Sequence, residues 1–554
     1  MSKAEIVIEN ARILTMDPGT PRAESLALAD GRILGLGRRA EIAGLCGPAT
    51  RRIDAQGCTV LPGFVESHLH LFAGAFGLRL AQLDRVQGAE ALRGVLLPYA
   101  AANPDEGLLI CKAADYQLFG DGVATTRQRL DAVLADRPVI CIAGDHHTAW
   151  ANTLALSRAG LLNGRAMPTG SEVVMSADGT AAGELREHAA FDPVLALRTT
   201  GGRENLGLAG REPGPGLTAQ ERAEDEAVLL EGLRYCASFG FTNLHNMDGN
   251  AYQLALLASL ETRGDLLCRI EIPFHLTPEK PLTALEDASA MQAQQRGAFL
   301  RSGRVKMFMD GVIDSATAVL LDPYSDLPGW HGAPLHDAER FAAACIDADR
   351  RGLQIAVHAI GDGAVRRTLD GFQAARAANG PRHSRHRIEH IELLHPQDLP
   401  RFRALGVVAS MQPQHPPGAM DFGLEPWLSR IGPARWPNGF PVAALRKAGV
   451  PIAFASDWPV SDINPMRGIK AAMTRRPWSE DCPDNRATLH EALHAYTMGG
   501  AYAGHDEVRL GSLCAGKAAD IVVIDRDLEA LAPDALDSAR AAITICGGRP
   551  VWEA

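Results

Sequence analysis

No run in this chain approaches the roughly 18 consecutive apolar residues of a membrane-spanning helix, so no span is expected. Paired cysteines are also missing. The ten cysteines are scattered without any Cys-x-x-Cys, which reads as reduced core thiols and not as a disulfide framework. The N-terminus, Met1-Ser2-Lys3-Ala4-Glu5-Ile6, looks like the start of a strand and lacks the plan of a signal peptide. A cytoplasmic protein is the expectation. Positive charge is in short supply: the net charge is −11, which argues against nucleic acid or an anionic membrane as partner. Glycine-rich spots such as Gly361-Asp362-Gly363 lack phosphate-loop spacing, and no Gly-x-Ser-x-Gly elbow is present. A nucleotide-binding loop and a serine hydrolase are thereby set aside. Lysine is scarcest of all, 7 against 48 arginines, so any lysine inside an apolar run stands out.

What is present begins at Leu61-Pro62-Gly63-Phe64-Val65-Glu66-Ser67-His68-Leu69-His70. On a strand, residues i and i+2 share a face, so His68 and His70 present two imidazoles side by side, suited to a divalent metal. Four later segments read as short buried strands ending in a possible ligand. These are Arg304 to Gly311 with Lys306, Leu353 to Asp362 with His358, His386 to Glu392 with His390, and Val450 to Pro459 with Asp457. Stretches of helical composition separate them, as at Asp337 to Arg351 and Asp398 to Leu405. Strands alternating with helices imply parallel βα units, and closing such a sheet into a (β/α)8 barrel brings the strand ends to one mouth. His386 would reach the site only from a helix; Arg387-Ile388-Glu389-His390-Ile391 alternates like a strand, so His386 stays outside. His383, His395 and His415 are assigned to the surface or to the surroundings of the site.

These motifs, taken in order, resemble the amidohydrolase superfamily of metal-dependent hydrolases. Val305 to Gly311, Val357 to Asp362, Ser456-Asp457-Trp458-Pro459-Val460 and Leu510-Gly511-Ser512-Leu513 point to amidohydrolase family 3, the N-substituted formamide deformylase-like branch. Glu66 stands where that pattern usually has Asp, Ala455 where it has Gly, and His146 where it has the Gly of Asp-Gly-His. The resemblance implies two divalent ions, Zn2+ first, with His68, His70 and Asp457 on one and His358 and His390 on the other. Lys306 lies between them. Desolvation favours its neutral amine, which can take up carbon dioxide and become N-carboxylated. Asp457 would be the catalytic base, and Asp145, His147 and Asp310 would face substrate. The substrate expected is a small-molecule amide, for instance an N-substituted formamide. A mononuclear cyclic-amide hydrolase or deaminase, and a catalytically idle metal-binding regulatory protein, are the rival readings; a homodimer is left open.

The 554 residues exceed one simple core, and a plain barrel takes about 250. The expected α/β architecture is a TIM barrel of residues 61–83 and 226–505. A composite β-sandwich from 1–60 and 506–554 lies beside it, with an inserted α/β domain at 84–225. Gly201 to Gly216, rich in Gly, Arg and Pro, reads as a mobile loop.

Overall fold

Eight short, mostly buried segments form one parallel sheet in the computed structural model of the chain, which describes residues 3–143, 148–167, 171–186, 188–420 and 422–554. They are β1 (Phe64–Leu69), β2 (Phe241–Asn246), β3 (Arg269–His275), β4 (Leu300–Phe308), β5 (Gln354–Ala359), β6 (Arg387–His390), β7 (Val408–Met411) and β8 (Ile452–Phe454). Each pairs with the next in chain order. The ring closes just past β8: His70 N donates to Trp458 O at 2.8 Å and Asp457 N to His68 O at 2.9 Å. The sheet is thus a nearly closed TIM barrel, and its closure sets the His-x-His strand against the Asp457 turn.

Connecting helices cover the strands. Asp337 caps the helix Ala338–Arg350 by accepting from Arg340 N at 2.8 Å. The next, Asp362–Asn379, crosses it at Gly371, where any Cβ would collide with the Phe341 ring. His386 lies outside the site as expected. Its Nδ1 accepts from Ile355 N at 3.1 Å and its Nε2 lies 3.2 Å from Asp349 Oδ1.

Asp349 also accepts from Ser384 Oγ at 2.6 Å and Asn379 Nδ2 at 2.8 Å. Burial alone would raise its carboxyl, but the bonds from His386, Ser384 and Asn379 outweigh it and hold the group well below the usual carboxylate range. A depressed folded pKa stabilises the fold above the ordinary Asp value of about 3.9, and that contribution is lost as pH falls through the lower folded value. Asp349→Asn should therefore lower stability at neutral pH and flatten its fall between roughly pH 5 and 2. Denaturant midpoints followed by circular dichroism at several pH values check this; parallel curves for parent and variant would refute it.

Strands from both chain ends share one six-stranded sheet, in which Thr59–Pro62 pairs antiparallel with Ile521–Ile524 and parallel with Arg12–Leu14. A four-stranded sheet containing Ile6–Glu9 and Ser25–Ala29 faces it across a core of Ile8, Leu26, Ile53, Val60, Ile521 and Ile545. Thr59–Pro62 runs straight into β1 through Gly63, where a side chain would strike Thr242. Arg269, on β3, is clamped by Asp520 with bonds of 2.8 and 3.0 Å, tying the C-terminal segment to the barrel.

The chain divides into two compact units, Ala75–Leu206 with Pro213–Val228 forming the second. It holds a mixed six-stranded sheet, including Leu109–Ala114 and Val139–Ala143, over a core of Leu92, Leu96, Leu130 and Cys141. Gly201–Gly216 is not the loose loop its composition suggests. Arg203 grips Asp225 through Nε at 2.7 Å and Nη2 at 3.1 Å. In the first unit, Glu212 accepts from Ala251 N and Tyr252 N at 2.8 and 3.1 Å. Charged side chains anchor what Gly and Pro alone would leave loose. All ten cysteines are free thiols, and among the described residues no helix is long and apolar enough to cross a membrane.

Candidate metal centre

Alternation along β1 turns Glu66 and His68 inward, and β6 answers with Arg387 and Glu389. His68, 1% exposed, has its Nδ1 2.7 Å from Glu389 Oε2. Burial opposes ionisation of Glu389, but Arg387 and His68 hold its carboxyl well below the usual range. An ionised carboxylate can only accept, so Nδ1 carries the proton and Nε2 keeps its lone pair. That Nε2 lies 3.3 Å from Asp457 Oδ1, as does His70 Nε2. His390 has Nδ1 3.0 Å from Gln412 Oε1 and its ring 4.9 Å from that of His68. His358 has Nε2 3.0 Å from Gly311 O, and its ring lies 4.5 Å from that of His390. Ligand atoms of His68, His390 and Asp457 all fall within 4.8 Å of one another.

Backbone conformation does part of the aiming. Regular alternation would put His390 on the face opposite Glu389. Instead His390 and Ile391 take φ of 76° and 51°, and Asp457 takes 61°. L-residues enter this left-handed region rarely, and such residues cluster at functional sites. Glu66 braces the last of these turns: its Oε1 accepts from His68 N at 3.1 Å and Ser456 N at 2.9 Å. The Glu-for-Asp departure thus sits on a carboxylate that joins β1 to the Asp457 turn.

Lys306 lies near the end of β4 among these groups, fully buried, with Nζ 4.6 Å above the Phe308 ring and no hydrogen-bond partner among the described residues. Burial brings its pKa down to about 8. Burial would raise the Asp457 carboxyl, yet His68, His70 and His390 hold it well below its ordinary value. His68 Nε2, His70 Nδ1, Lys306 Nζ, Asp457 Oδ1 and both Asp248 oxygens lack hydrogen-bond partners among the described residues. Buried polar atoms are seldom left so. Imidazole nitrogens and carboxylate oxygens that converge without partners are the donor set a divalent cation takes, so the residues present fit a metal.

Asp310, expected to face the cleft, is held chiefly by backbone amides, with Oδ1 3.9 Å from His358 Nε2. Its carboxylate accepts from Val319 N at 2.8 Å and from Ile360 N and Gly361 N at 3.0 Å each, tying the loop after β4 to the turn after β5. Asp145 and His147 lie outside the described residues. Several groups escaped sequence reasoning: Glu389, its partner Arg387, Gln412, and Asp248, whose Oδ2 is 3.9 Å from His70 Nδ1. His415 is buried and stacked on His390, with centroids 6.1 Å apart and planes at 8°. One local signal existed: an Arg and a Glu two apart on a buried strand must pair inside the barrel. Glu389→Gln should weaken metal binding about 10–100-fold, because the amide no longer dictates the His68 tautomer. Competition with a chromogenic chelator measures it, and unchanged affinity would remove Glu389 from the site.

A parallel barrel whose mouth gathers imidazoles, a buried lysine and a carboxylate defines a metal-dependent hydrolase of the TIM-barrel type. The family model of the amidohydrolase family matches residues 51–552, and the chain belongs to that family. It is 30% identical over 543 residues to the protein LONG AFTER FAR-RED 3 of Arabidopsis thaliana, covering 94% of this chain and 87% of that one. It is 26% identical over 551 residues to the N-substituted formamide deformylase of Arthrobacter pascens, covering 94% of each. A solved structure of an uncharacterized metal-dependent hydrolase from Pyrococcus furiosus superposes with a TM-score of 0.73 at 26% identity, covering 96% of this chain and 99% of that one. The chain is thus a hydrolase of carbon–nitrogen bonds.

Proposed function

We propose that this enzyme hydrolyses N-substituted formamides or related small amides at a centre of two zinc ions. His68, His70 and Asp457 would hold one ion, His358 and His390 the other, and a carboxylated Lys306 would bridge them. The observation that carries this reading is the convergence, at one end of the barrel, of buried ligand atoms without hydrogen-bond partners among the described residues, Lys306 Nζ among them. The named relative that deformylates N-substituted formamides supports the choice of substrate. An amine whose pKa burial has brought down to about 8 supports carboxylation. Its lone pair attacks carbon dioxide, a C–N bond forms and one N–H proton leaves to solvent, giving a carbamate with two oxygens for ligation.

When bound, the ions polarise the scissile carbonyl and lower the pKa of the attacking water toward ~7. Asp457 takes the proton of that water and later gives it to the leaving amine nitrogen as the C–N bond breaks. Glu389 fixes which nitrogen His68 offers, and Glu66 holds the turn that aims Asp457. The products are an amine and formate, or the corresponding carboxylic acid.

A mononuclear reading has one observation of its own: among the described residues, only His68, His390 and Asp457 form a His, Cys, Asp or Glu group whose ligand atoms all lie within 4.8 Å of one another. Metal per chain, measured on protein purified without chelator, separates the two. Two equivalents of zinc are expected, dropping in Lys306→Ala, together with formate release from a panel of N-substituted formamides. One equivalent, indifferent to Lys306, would overturn the bridged centre. No formate from a fully loaded enzyme would overturn the substrate.

A further inference from the structure

The imidazoles of the candidate centre are braced by unequal partners. His68 Nδ1 donates to the Glu389 carboxylate at 2.7 Å. Across from His70 Nδ1 stands a second carboxylate, with Asp248 Oδ2 at 3.9 Å, about 1 Å longer than a hydrogen bond. Asp248 is wholly buried, and among the described residues no hydrogen bond engages either of its carboxylate oxygens. Both imidazoles assigned to the first ion thus have an anion behind them.

The two assigned to the second ion are braced by neutral groups. His358 Nε2 faces the carbonyl of Gly311 at 3.0 Å; a carbonyl only accepts, so Nε2 carries the proton and Nδ1 is left for a metal. Asp310 Oδ1 comes within 3.9 Å of the same nitrogen, but three backbone amides already occupy that carboxylate. His390 Nδ1 lies 3.0 Å from Oε1 of Gln412, a buried side chain one residue past β7. Asp457 Oδ2, 3.9 Å from His390 Nδ1, is itself assigned to the first ion. The Gln412 amide selects the nitrogen His390 presents, as Glu389 does for His68, but it brings no charge.

Such an outer partner acts on a metal in two ways. It orients the ring, and when anionic it draws the N–H proton toward itself and enriches the opposite nitrogen, which makes the stronger ligand. Loss of such a partner costs about 10–100-fold in metal affinity. We infer that Gln412 is a positioning residue of the metal centre, and that its neutral amide leaves the ion at His358 and His390 the more weakly held, by about tenfold or more, so that the two positions fill in order. The inference rests on the two-ion reading above. Hydrolysis that requires both ions would then follow the free-zinc level across the weaker step.

The test titrates chelator-stripped full-length protein with zinc against a chromogenic chelator, in bicarbonate buffer. Two steps of one equivalent each are expected, separated by about tenfold or more. Gln412→Leu removes the acceptor and should weaken the second step by about tenfold or more, while the first moves by less than about threefold. Gln412→Glu keeps the acceptor and adds charge, and should tighten the second step about tenfold, a gain that misfolding cannot produce. Crystals carrying one equivalent of zinc should show anomalous density between His68, His70 and Asp457. The inference falls if two equivalents bind with equal affinity, if either Gln412 variant leaves the second step unchanged, or if the first equivalent lies at His358 and His390. One equivalent in total would overturn the two-ion reading and this inference with it, a result distinct from two equal steps.

Discussion

Asp457→Asn in the zinc-loaded enzyme is expected to lower kcat about a thousand- to ten-thousand-fold, with KM shifted only a few-fold. The amide keeps the shape of the carboxylate but cannot take a proton from water or hand it on. Against the effect of burial, His68, His70 and His390 hold the carboxyl well below its ordinary pKa, with Nε2 of His68 and of His70 each 3.3 Å from Oδ1. Its backbone sits at φ 61°, so its placement is imposed by the barrel closure and the Glu66 brace and should survive the substitution. Steady-state kinetics on the best N-substituted formamide, with metal content measured in parallel, decide the matter. A variant within tenfold of the parent at equal metal content would remove Asp457 from the proton path.

Arg387→Met should be the most damaging single change to stability, costing about 3–5 kcal/mol. Arg387 is wholly buried inside the barrel. Its Nε donates to Glu389 Oε1 at 2.6 Å, and its Nη2 to Glu389 Oε2, Ser67 O and Ser410 Oγ at 3.0, 2.7 and 2.7 Å. Removing it strands the Glu389 charge in the core with His68 as its remaining partner. Replacing both members of a buried pair by apolar groups is often close to neutral. Arg387→Met with Glu389→Leu should therefore recover much of the loss, although His68 loses its tautomer control. Denaturant unfolding of the parent and both variants measures this. A loss below about 1 kcal/mol in the single variant would mean that the pair is not stabilised as described.

How far the site could be seen in the chain follows from the range of the interactions involved. His68, His70, Lys306, His358, His390 and Asp457 each end an apolar run, and apolar runs between helices are visible in order along the sequence. Their common address at the barrel mouth follows from parallel topology alone. The pairing of Glu389 with His68 spans 321 positions, and no local pattern could announce it. Asp248 sits two residues past β2 in a stretch with no metal-site spacing, yet its Oδ2 lies 3.9 Å from His70 Nδ1. Asp310, four residues past Lys306, looked ready for the cleft, but the turns after β4 and β5 fold over it and engage its oxygens with backbone amides.

By itself, then, the sequence determined the barrel and the shared sandwich of the two ends, and it singled out the residues proposed to hold metal. Hydrophobic alternation and residue chemistry act over a few positions, and they survive in a one-dimensional reading. Only the tertiary structure decided which nitrogen each imidazole presents, where His390 turns, and which carboxylates brace the site. Those choices rest on ring closure between β1 and the Asp457 turn, on left-handed backbone at His390 and Asp457, and on buried charges that must find partners from distant strands.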